Sequence, residues 1–226
     1  MRSWKIVVAG EGGQGVQALA QTLALAAYHG GLESLYIPNF GIEQRGGVSL
    51  AMVQLSAAPI GAPKFQIADL IVALSPRSYR RCFQHLGPET MVLYDSSLME
   101  PPRVEDQVVG LQAYDTIAPE AFAERVGRHP RREESPPPGR RLIAIPASDL
   151  ARKHLHPRVF NMIVLGAIGA ITGMVELELI KEALAKKLDR RFAKDPDLKE
   201  NNFKALELGW EKGTQAAKEA AVGAEV

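Results

Sequence analysis

The chain has 226 residues, with 27 lysines and arginines against 26 aspartates and glutamates, a formal net charge of +1, and one cysteine, Cys82. This balance of charge provides no field that attracts nucleic acid or a membrane surface, so neither is predicted as a partner. One cysteine excludes an internal disulfide and cannot supply the four thiolates that an iron–sulfur cluster normally takes. Because the apolar runs are too short for a signal peptide or a membrane span, the sequence predicts a cytoplasmic protein.

The first hundred residues alternate short apolar runs with helix-forming segments. The run at 4–9 is continuously apolar, which is typical of a strand buried on both faces. The helix after it is apolar nearly all round, so we expect it to be covered on most sides. The predicted elements are a strand at 4–9, a helix at 14–28, strands at 34–37, 48–55 and 69–74, a helix from 76, and a strand at 90–94.

The rest of the chain is irregular at first and then helical. The stretch 127–141 is crowded with arginine, proline and glutamate, which predicts an exposed, mobile insertion. Ser148 and Asp149 are expected to cap a short helix, and the alanine-rich tail from Thr214 is expected to fray. The predicted elements are strands at 108–113 and 142–145 and helices at 119–126, 148–154, 160–171, 176–188 and 198–212.

This order of elements predicts an α/β fold. Strands that alternate with helices indicate a doubly wound, mostly parallel, Rossmann-like sheet. The helical C-terminal third is expected to pack on that sheet. A length of 226 residues suits one domain spanning 1–226.

A glycine cluster stands between the first strand and the first helix. Gly10, Gly12 and Gly15 match the spacing G-x-G-x-x-G, with Gly13 as an extra glycine. Gly10 is expected to permit the turn, and Gly15 to let helix and strand pack closely. Gly12 and Gly13 are expected to let a ligand approach the backbone. The cluster therefore predicts a phosphate-bearing ligand at the helix start, against the alternative of a glycine turn without a ligand.

A dinucleotide is not the favoured ligand. Binding of its ribose needs an aspartate or glutamate at the end of the second strand, where this chain has Asn39. A different phosphate ligand keeps the glycine loop, to which Gln14 is expected to donate. Arg45 lies in a glycine-framed loop where such a sheet usually meets its ligand, although Glu43 is an equally good partner for it in a surface ion pair.

Other conspicuous side chains have simpler interpretations. Cys82 belongs to an apolar helix face and is predicted to be a buried core residue. The arginines of residues 77–81 form a basic face, for which solvation is favoured over a docking role. His154 and His156 lack a third ligand at suitable spacing. No catalytic residue and no metal site are therefore predicted on this chain.

Several motifs together carry a family resemblance. They are GEGGQGV at 10–16, PNFGIEQRGG at 38–47, PI at 59–60, ADLIVA at 68–73, NMIVLGAI at 161–168 and NFKALELG at 202–209. With these motifs the chain resembles the gamma subunit or domain of 2-oxoacid:ferredoxin oxidoreductases, the group of the pyruvate, ketoisovalerate, 2-oxoglutarate and indolepyruvate enzymes. The resemblance covers most of the chain except about 100–141.

The resemblance implies one subunit of a larger enzyme. In that family thiamine pyrophosphate and magnesium lie on alpha and beta parts, and iron–sulfur clusters on beta and delta parts pass electrons to ferredoxin or another acceptor. The gamma part helps to bind coenzyme A, the acyl acceptor. Carried over by position, residues 12–15 would line the phosphates of coenzyme A, and Asn39 and Arg45 would border the same crevice.

Two other functions are also compatible with these residues. One is an NAD(P)-binding dehydrogenase that acts alone. The other is a scaffold subunit that assembles the complex and whose glycine loop stays empty. Binding and turnover of a nicotinamide cofactor by the isolated chain would identify the first, and assembly without any effect on coenzyme A would identify the second.

Overall fold

The computed structural model describes residues 3–39, 47–99 and 141–222. The predicted strand at 108–113, the predicted helix at 119–126 and the insertion at 127–141, except Arg141, lie outside the described residues. Arg45 also lies outside them.

Within these ranges the fold is built on a six-stranded sheet in the order β2-β3-β1-β4-β5-β6. The strands are β1 (Ser3–Glu11), β2 (Glu33–Asn39), β3 (Val48–Ser56), β4 (Leu70–Ala73), β5 (Met91–Asp95) and β6 (Leu142–Ile145). The neighbours β1, β4, β5 and β6 run parallel, whereas β3 is antiparallel to both β1 and β2. The predicted α/β class with a mostly parallel sheet is therefore confirmed.

The central strands are buried on both faces, as their continuous apolar runs predict. All four residues of β4 are buried, and so is the middle of β1. Ile6 and Val8 belong to one hydrophobic cluster and Val7 and Ala9 to another, because successive side chains of a strand point to opposite faces. The sheet is thus covered by two layers.

The antiparallel strand β3 is the departure from a purely parallel sheet. Helix α1 (Val16–His29) carries the chain from β1 to β2, and β3 then returns between these two strands and pairs with both. The link at 40–47 is shorter than the roughly twelve residues that a parallel crossover needs, so the chain returns in the opposite direction.

Helices cover the two faces unequally. In the described part of the chain, α2 (Pro76–Arg81) covers the face of Val7 and Ala9 through Tyr79, together with Cys82 directly after the helix. The other face is covered by α1 and by the C-terminal helices, which confirms that the helical third packs on the sheet. These helices are α3 (Ala147–His154), α4 (Phe160–Thr172), α5 (Leu177–Lys187), α6 (Asp189–Phe192) and α7 (Pro196–Val222). Among the described residues, no helix combines the length and the apolarity that crossing a bilayer requires.

Helices α4 and α7 touch at their backbones. A Cβ atom on Gly166 would overlap the carbonyl oxygen of Leu206, and a Cβ atom on Gly209 would overlap the carbonyl oxygen of Ile163. Only glycine allows two helix backbones to come this close at both positions. The two helices therefore form a tightly packed pair.

The C-terminal helix is longer than predicted. Helix α7 continues to residue 222, so the predicted helix end at residue 212 is wrong, while the fraying expected from Thr214 stays a prediction. A Cβ atom on Gly213 would lie 2.7 Å from the Cα atom of Ala167, which shows that the packing against α4 extends beyond the predicted helix end. The Thr214 hydroxyl also donates to the carbonyl of Trp210 at 2.8 Å. Packing against α4 thus keeps the segment after residue 212 helical, although the local sequence does not predict a helix there.

The predicted cap of α3 is wrong as well. Pro146 occupies the N-cap position, and the N-cap residue itself makes no side-chain capping bond. The hydroxyl and the backbone N–H of Ser148 instead donate to Oδ2 of the buried Asp95, at 2.6 and 3.1 Å. The carboxylate comes from the end of β5. A residue distant in the chain therefore accepts the hydrogen bond at the helix start that a local side chain was expected to accept.

Candidate functional site

A glycine loop joins β1 to α1 at the carboxyl end of the parallel strands. Gly12 and Gly13 are exposed. Gly13 and Gly15 have φ angles of 95° and 76°, in the left-handed region that favours glycine. Gly15 is the N-cap residue of α1. The loop therefore presents backbone to the solvent where it turns into the helix.

The roles predicted for Gly10 and Gly15 are exchanged. Gly10 lies inside β1 and has no positive φ angle, so it does not turn the chain. A Cβ atom on Gly10 would lie 2.7 Å from Cγ2 of Val16 and 3.2 Å from Cδ1 of Leu74. Gly10 thus allows the helix start to pack on the sheet, while Gly15 makes the turn. The prediction of which glycine does which was wrong.

The side chain of Gln14 braces the loop. Its Oε1 accepts the backbone N–H of Glu11 at 2.6 Å, and its Nε2 donates to the carbonyl of Leu74 at 3.1 Å. The backbone N–H of Gln14 closes the turn on the carbonyl of Glu11 at 3.0 Å. The side chain of Gln14 is thus held by β1 and by the end of β4. It can therefore influence a ligand by fixing the shape of the loop.

The start of α1 carries backbone donors that have no acceptor among the described residues. The first regular helical bond runs from the N–H of Leu19 to the carbonyl of Gly15, at 3.0 Å. The N–H groups of residues 16–18 precede it and therefore have no acceptor within the helix. Within the described ranges no side chain caps this helix, and its first turn contains no acidic residue. The partial positive charge of the helix start is therefore not compensated by the residues that the structure describes.

A lysine adds positive charge beside the first turn of α1. Nζ of Lys187 donates to the carbonyl of Ala18 at 3.1 Å and to Oε1 of Gln21 at 2.8 Å, and both of these partners are neutral. Burial lowers the pKa of this half-buried ammonium. A nearby anion would stabilise both the ammonium and the helix dipole.

The loop lies at a switch point of the sheet. Helix α1 leaves β1 on one face of the sheet, while α2 follows β4 and packs on the opposite face. The bond from Gln14 to Leu74 spans the ends of these two strands. In open α/β sheets, ligands bind outside the carboxyl ends of the strands at such a point.

Asn39 lies at the same end of the sheet but not beside the glycine loop. It pairs with Leu50 of β3, and Leu50 pairs on its other side with Ala9 of β1. Two strand spacings, about 10 Å, therefore separate Asn39 from β1. Because Arg45 lies outside the described residues, its place at the crevice stays a prediction.

Two side chains at the loop were not predicted. Gln17 donates to the Ser49 hydroxyl at 2.7 Å and accepts from the Tyr36 hydroxyl at 2.7 Å, so it ties α1 to β3 and β2. Asn161, at the start of α4, lies against Gly15, where a Cβ atom would overlap its Nδ2. Asn161 belongs to one of the family motifs, but no local signal in the sequence places it at this loop.

The remaining singled-out residues lie elsewhere. Cys82 is fully buried, which confirms it as a core residue, and burial raises the pKa of its thiol to about 12. His154 and His156 are exposed at the end of α3, and Nδ1 of His156 accepts the backbone N–H of Arg158 at 3.2 Å. The described candidate site therefore consists of the loop at 10–15, the first turn of α1 and the start of α4.

Comparison with known sequences finds a family match over most of the chain. The profile of the pyruvate ferredoxin/flavodoxin oxidoreductase family matches residues 5–212. The chain is 28% identical over 207 residues to ketoisovalerate oxidoreductase subunit VorA of Methanothermobacter thermautotrophicus, an alignment that covers 92% of this chain. It spans only 36% of the length of VorA.

Two solved structures share the fold. The gamma subunit of a keto/oxoacid ferredoxin oxidoreductase from Geobacter sulfurreducens has a TM-score of 0.67 at 24% identity, over 96% of this chain and 99% of that one. The 2-oxoglutarate:ferredoxin oxidoreductase from Magnetococcus marinus, solved with 2-oxoglutarate, coenzyme A and succinyl-CoA bound, has a TM-score of 0.70 at 24% identity. That alignment covers 97% of this chain and 32% of the other.

Proposed function

The chain belongs to the pyruvate ferredoxin/flavodoxin oxidoreductase family, and from that premise we propose that it is the gamma subunit of a 2-oxoacid:acceptor oxidoreductase. In this proposal the complex oxidatively decarboxylates a 2-oxoacid to an acyl-CoA. The chain contributes as a single domain that binds coenzyme A and joins the complex. The near-complete mutual coverage with the Geobacter sulfurreducens gamma subunit supports the assignment to a gamma-type chain.

The observation that carries the coenzyme A role is the exposed, uncapped start of α1 at the switch point. Gly12 and Gly13 are exposed and have no side chain that covers the loop. The N–H of Gly12 donates to the carbonyl of Gly47 at 3.1 Å, so the groups that a phosphate can approach are the N–H groups of the first turn of α1. The helix dipole and the ammonium of Lys187 both favour a negative charge at this place. These features fit the phosphates of coenzyme A, and a relative of the same fold was solved with coenzyme A bound.

The proposal assigns positioning and no bond-making step to this chain. The loop holds the phosphates so that the thiol of coenzyme A extends toward the acyl group on a neighbouring subunit. Positioning of a reactant contributes up to about 7–11 kcal/mol to lowering a barrier in favourable cases. Gln14 takes part by fixing the loop, and Asn39 and Arg45 are proposed to border the more distant part of the same crevice.

The other cofactors are proposed to lie on partner subunits. Thiamine pyrophosphate with magnesium supplies the decarboxylation chemistry, and iron–sulfur clusters carry electrons to ferredoxin or a similar acceptor. The one cysteine of the chain is fully buried, so it does not suit a cluster ligand. The partners are therefore alpha-, beta- and delta-type subunits, and the complex is proposed to act in the cytoplasm.

The structure argues against a dehydrogenase of the NAD type. Such an enzyme holds the ribose with a carboxylate at the end of the strand next to the glycine loop. In this sheet the antiparallel β3 stands between β1 and β2, and β2 ends in Asn39. A nicotinamide dinucleotide would thus lack its usual ribose ligand.

The test is the substitution Gly12→Val in the complex purified through this chain. Gly12 is exposed and has no positive φ angle, so valine fits the backbone but covers the approach to the loop. We expect the KM for coenzyme A to rise about tenfold, equivalent to about 1.4 kcal/mol, in an assay of 2-oxoacid-dependent reduction of a viologen dye. The KM for the 2-oxoacid is expected to stay unchanged.

The matched control is Gly61→Val, in an exposed loop where a Cβ atom meets nothing within 4 Å. This variant should leave both KM values unchanged. An assembled Gly12→Val complex with an unaltered KM for coenzyme A would refute the binding role and favour the scaffold function. Turnover of a nicotinamide cofactor by the chain alone would refute the assignment as a subunit.

A further inference from the structure

An apolar loop joins β3 to β4. The segment 57–67, AAPIGAPKFQI, carries one charge, on Lys64, and most of its residues are exposed. Ile67 alone is 47% exposed. Single apolar side chains on a surface need no explanation, whereas a contiguous apolar patch marks a site of interaction. The PI motif at 59–60, one of the family motifs, lies in this loop and has no part in the coenzyme A site.

Hydrogen bonds to the rest of the fold hold the 57–67 loop in place. The buried side chain of Gln54 donates to the carbonyls of Ala62 and Pro63, at 2.8 and 3.1 Å. Nδ1 of His85 lies 2.8 Å from the carbonyl oxygen of Gln66. The loop therefore presents its apolar side chains on a fixed backbone, and a partner that binds there spends little free energy on ordering it.

The 57–67 loop and the first residues of β1 form an open cleft of about 480 Å³. Trp4, Phe65 and Ile67 contribute apolar surface to it. Lys5 and Lys64 line it as well, and neither has an ion pair with a residue that the structure describes. Within the described ranges no acidic residue lines the cleft. The cleft is thus complementary to an apolar segment that carries a carboxylate.

The cleft lies at the end of the sheet opposite the glycine loop. Ser3, the first residue of β1, lines the cleft and pairs with Ser56, the last residue of β3. Strand β1 runs from there to Glu11 at the glycine loop, and its nine residues span roughly 26 Å. A partner in the cleft therefore leaves the glycine loop accessible to coenzyme A.

The C-terminal end of α7 lies at this end of the sheet too. Helix α1 runs away from the glycine loop and ends at Gly30, against Leu179 of α5. Leu177, at the start of α5, lines one groove together with Lys218 near the end of α7. Both ends of the described fold thus lie at the end of the sheet where the cleft opens.

The longer relatives indicate what covers the cleft. The Magnetococcus marinus chain shares this fold, but the fold accounts for only 32% of its length, so the remainder of that chain leaves the fold at one of its ends. Whichever end it follows, the remainder departs from the end of the sheet where the cleft lies. The apolar cleft is therefore adjacent to the point at which the remainder begins.

We propose that the cleft docks the subunit that corresponds to the remainder of the Magnetococcus marinus chain. That subunit contributes an apolar segment with a carboxylate, which pairs with Lys5 and Lys64. The inference rests on the proposed function as a subunit and extends it to a named surface. Because roughly 26 Å separates the cleft from the glycine loop, docking controls assembly and leaves the KM for coenzyme A unaffected.

The first test is Lys64→Glu in the complex purified through a tag on this chain from cells that co-express the partner subunits. Lys64 is exposed and makes no described ion pair, so Tm of the chain should stay unchanged. Repulsion of the carboxylate should lower recovery of the partner subunit about threefold or more at low salt, and less at about 1 M salt, where charges are screened. A loss of recovery matched by a loss of Tm would assign Lys64 a structural role and overturn the proposal.

The matched control is Lys153→Glu. Lys153 is an exposed lysine on α3, and this helix packs on the face of the sheet away from Phe65. The control makes the same change of charge outside the cleft, so recovery of the partner subunit should equal that of the wild type. Equal recovery for Lys64→Glu and Lys153→Glu would show that the cleft does not dock this subunit.

A photo-crosslink identifies the occupant of the cleft. Ala62 is exposed, and its carbonyl rather than its side chain binds Gln54, so Ala62→p-benzoylphenylalanine keeps the loop in place. Irradiation of the complex should join this chain to the subunit that aligns with the remainder of the Magnetococcus marinus chain. A crosslink to a second copy of this chain, a crosslink to another subunit, or no crosslink from an assembled complex would each contradict the proposal.

The outcomes distinguish this inference from the proposed function. If Lys64→Glu assembles normally while Gly12→Val raises the KM for coenzyme A, the coenzyme A role holds and the docking surface is wrong. If Lys64→Glu lowers recovery while Gly12→Val leaves the KM unchanged, docking holds and the coenzyme A role fails. If the wild-type chain recovers no partner subunit, both fail. Gly61→Val alters the 57–67 loop and should lower recovery, but its KM is measured on assembled complexes, so it remains a control for coenzyme A binding.

Discussion

Replacing Gly209 by alanine tests the close packing of α4 and α7. The new Cβ atom would overlap the carbonyl oxygen of Ile163 and lie 2.6 Å from its carbonyl carbon and 2.8 Å from its Cα atom. All three atoms belong to the backbone of α4, so no side-chain rotation relieves the contact. The two helices must separate, and the core between them must repack.

The magnitude follows from two opposing effects. Overpacking of a well-packed core costs about 1–3 kcal/mol. Alanine in a helix interior is more favourable than glycine by about 1 kcal/mol, which offsets part of that cost. Because the overlap is with backbone, we place the cost at the upper end and expect a net loss of about 1–2 kcal/mol. For a chain of this size that lowers Tm by about 2–8 °C.

The assay is thermal and urea unfolding of Gly209→Ala beside Gly169→Ala. In α4 a Cβ atom on Gly169 would lie 2.7 Å from Cδ1 of Ile180 and 2.8 Å from Cζ3 of Trp210. These are side-chain atoms, which can move aside, so this control should lose less stability. The reasoning is refuted if Gly209→Ala is as stable as the wild type or at least as stable as Gly169→Ala.

Two further predictions concern buried polar groups. Because burial raises the pKa of the Cys82 thiol from 9.0 to about 12, its thiolate fraction at pH 8 is about 10³-fold below that of the unfolded chain. Alkylation of the Cys82 thiol should therefore occur only as the protein unfolds, and rapid labelling of the native protein would contradict this. The raised pKa contributes to the stability of the fold below pH 9, and this contribution is lost as the pH rises toward 12. Asp95→Ala leaves the hydroxyl and N–H of Ser148 without their acceptor and should cost about 3 kcal/mol in urea unfolding. The control Asp149→Ala changes a half-exposed carboxylate and loses an ion pair of 3.6 Å to Arg152, so it should cost at most about 1 kcal/mol. Equal losses for the two variants would refute the role of Asp95.

Most elements of the described fold were predictable because each is encoded by its own residues. The continuous apolar run of β4 indicates a strand covered on both faces, and β6 has the predicted bounds of 142–145. The apolar surface of α1 indicated burial on most sides, and Gly30 ends that helix as expected. Strand and helix periods and the conformational freedom of glycine act over a few residues, so they can be read without knowledge of the fold.

The same local signals indicated where the candidate site begins. Glycine spacing between a strand and a helix predicted a loop with accessible backbone, and Gly12 and Gly13 are exposed there. The spacing did not decide which glycine turns the chain. Gly15 adopts the left-handed conformation, and Gly10 lies where α1 packs closely on the sheet. Both roles depend on how α1 approaches the sheet, which is a property of the assembled core.

Only the tertiary structure decided the partners around that loop. Gln14 bonds to a carbonyl 60 residues away, and Lys187 reaches the first turn of α1 from 169 residues away. The insertion of β3 between β1 and β2 and the contact of Asn161 with Gly15 depend in the same way on segments distant in the chain. Sequence patterns specify which surfaces are apolar and where the backbone can turn. The pairing of those surfaces, and hence which side chains meet at the site, is set by the packing of the whole core.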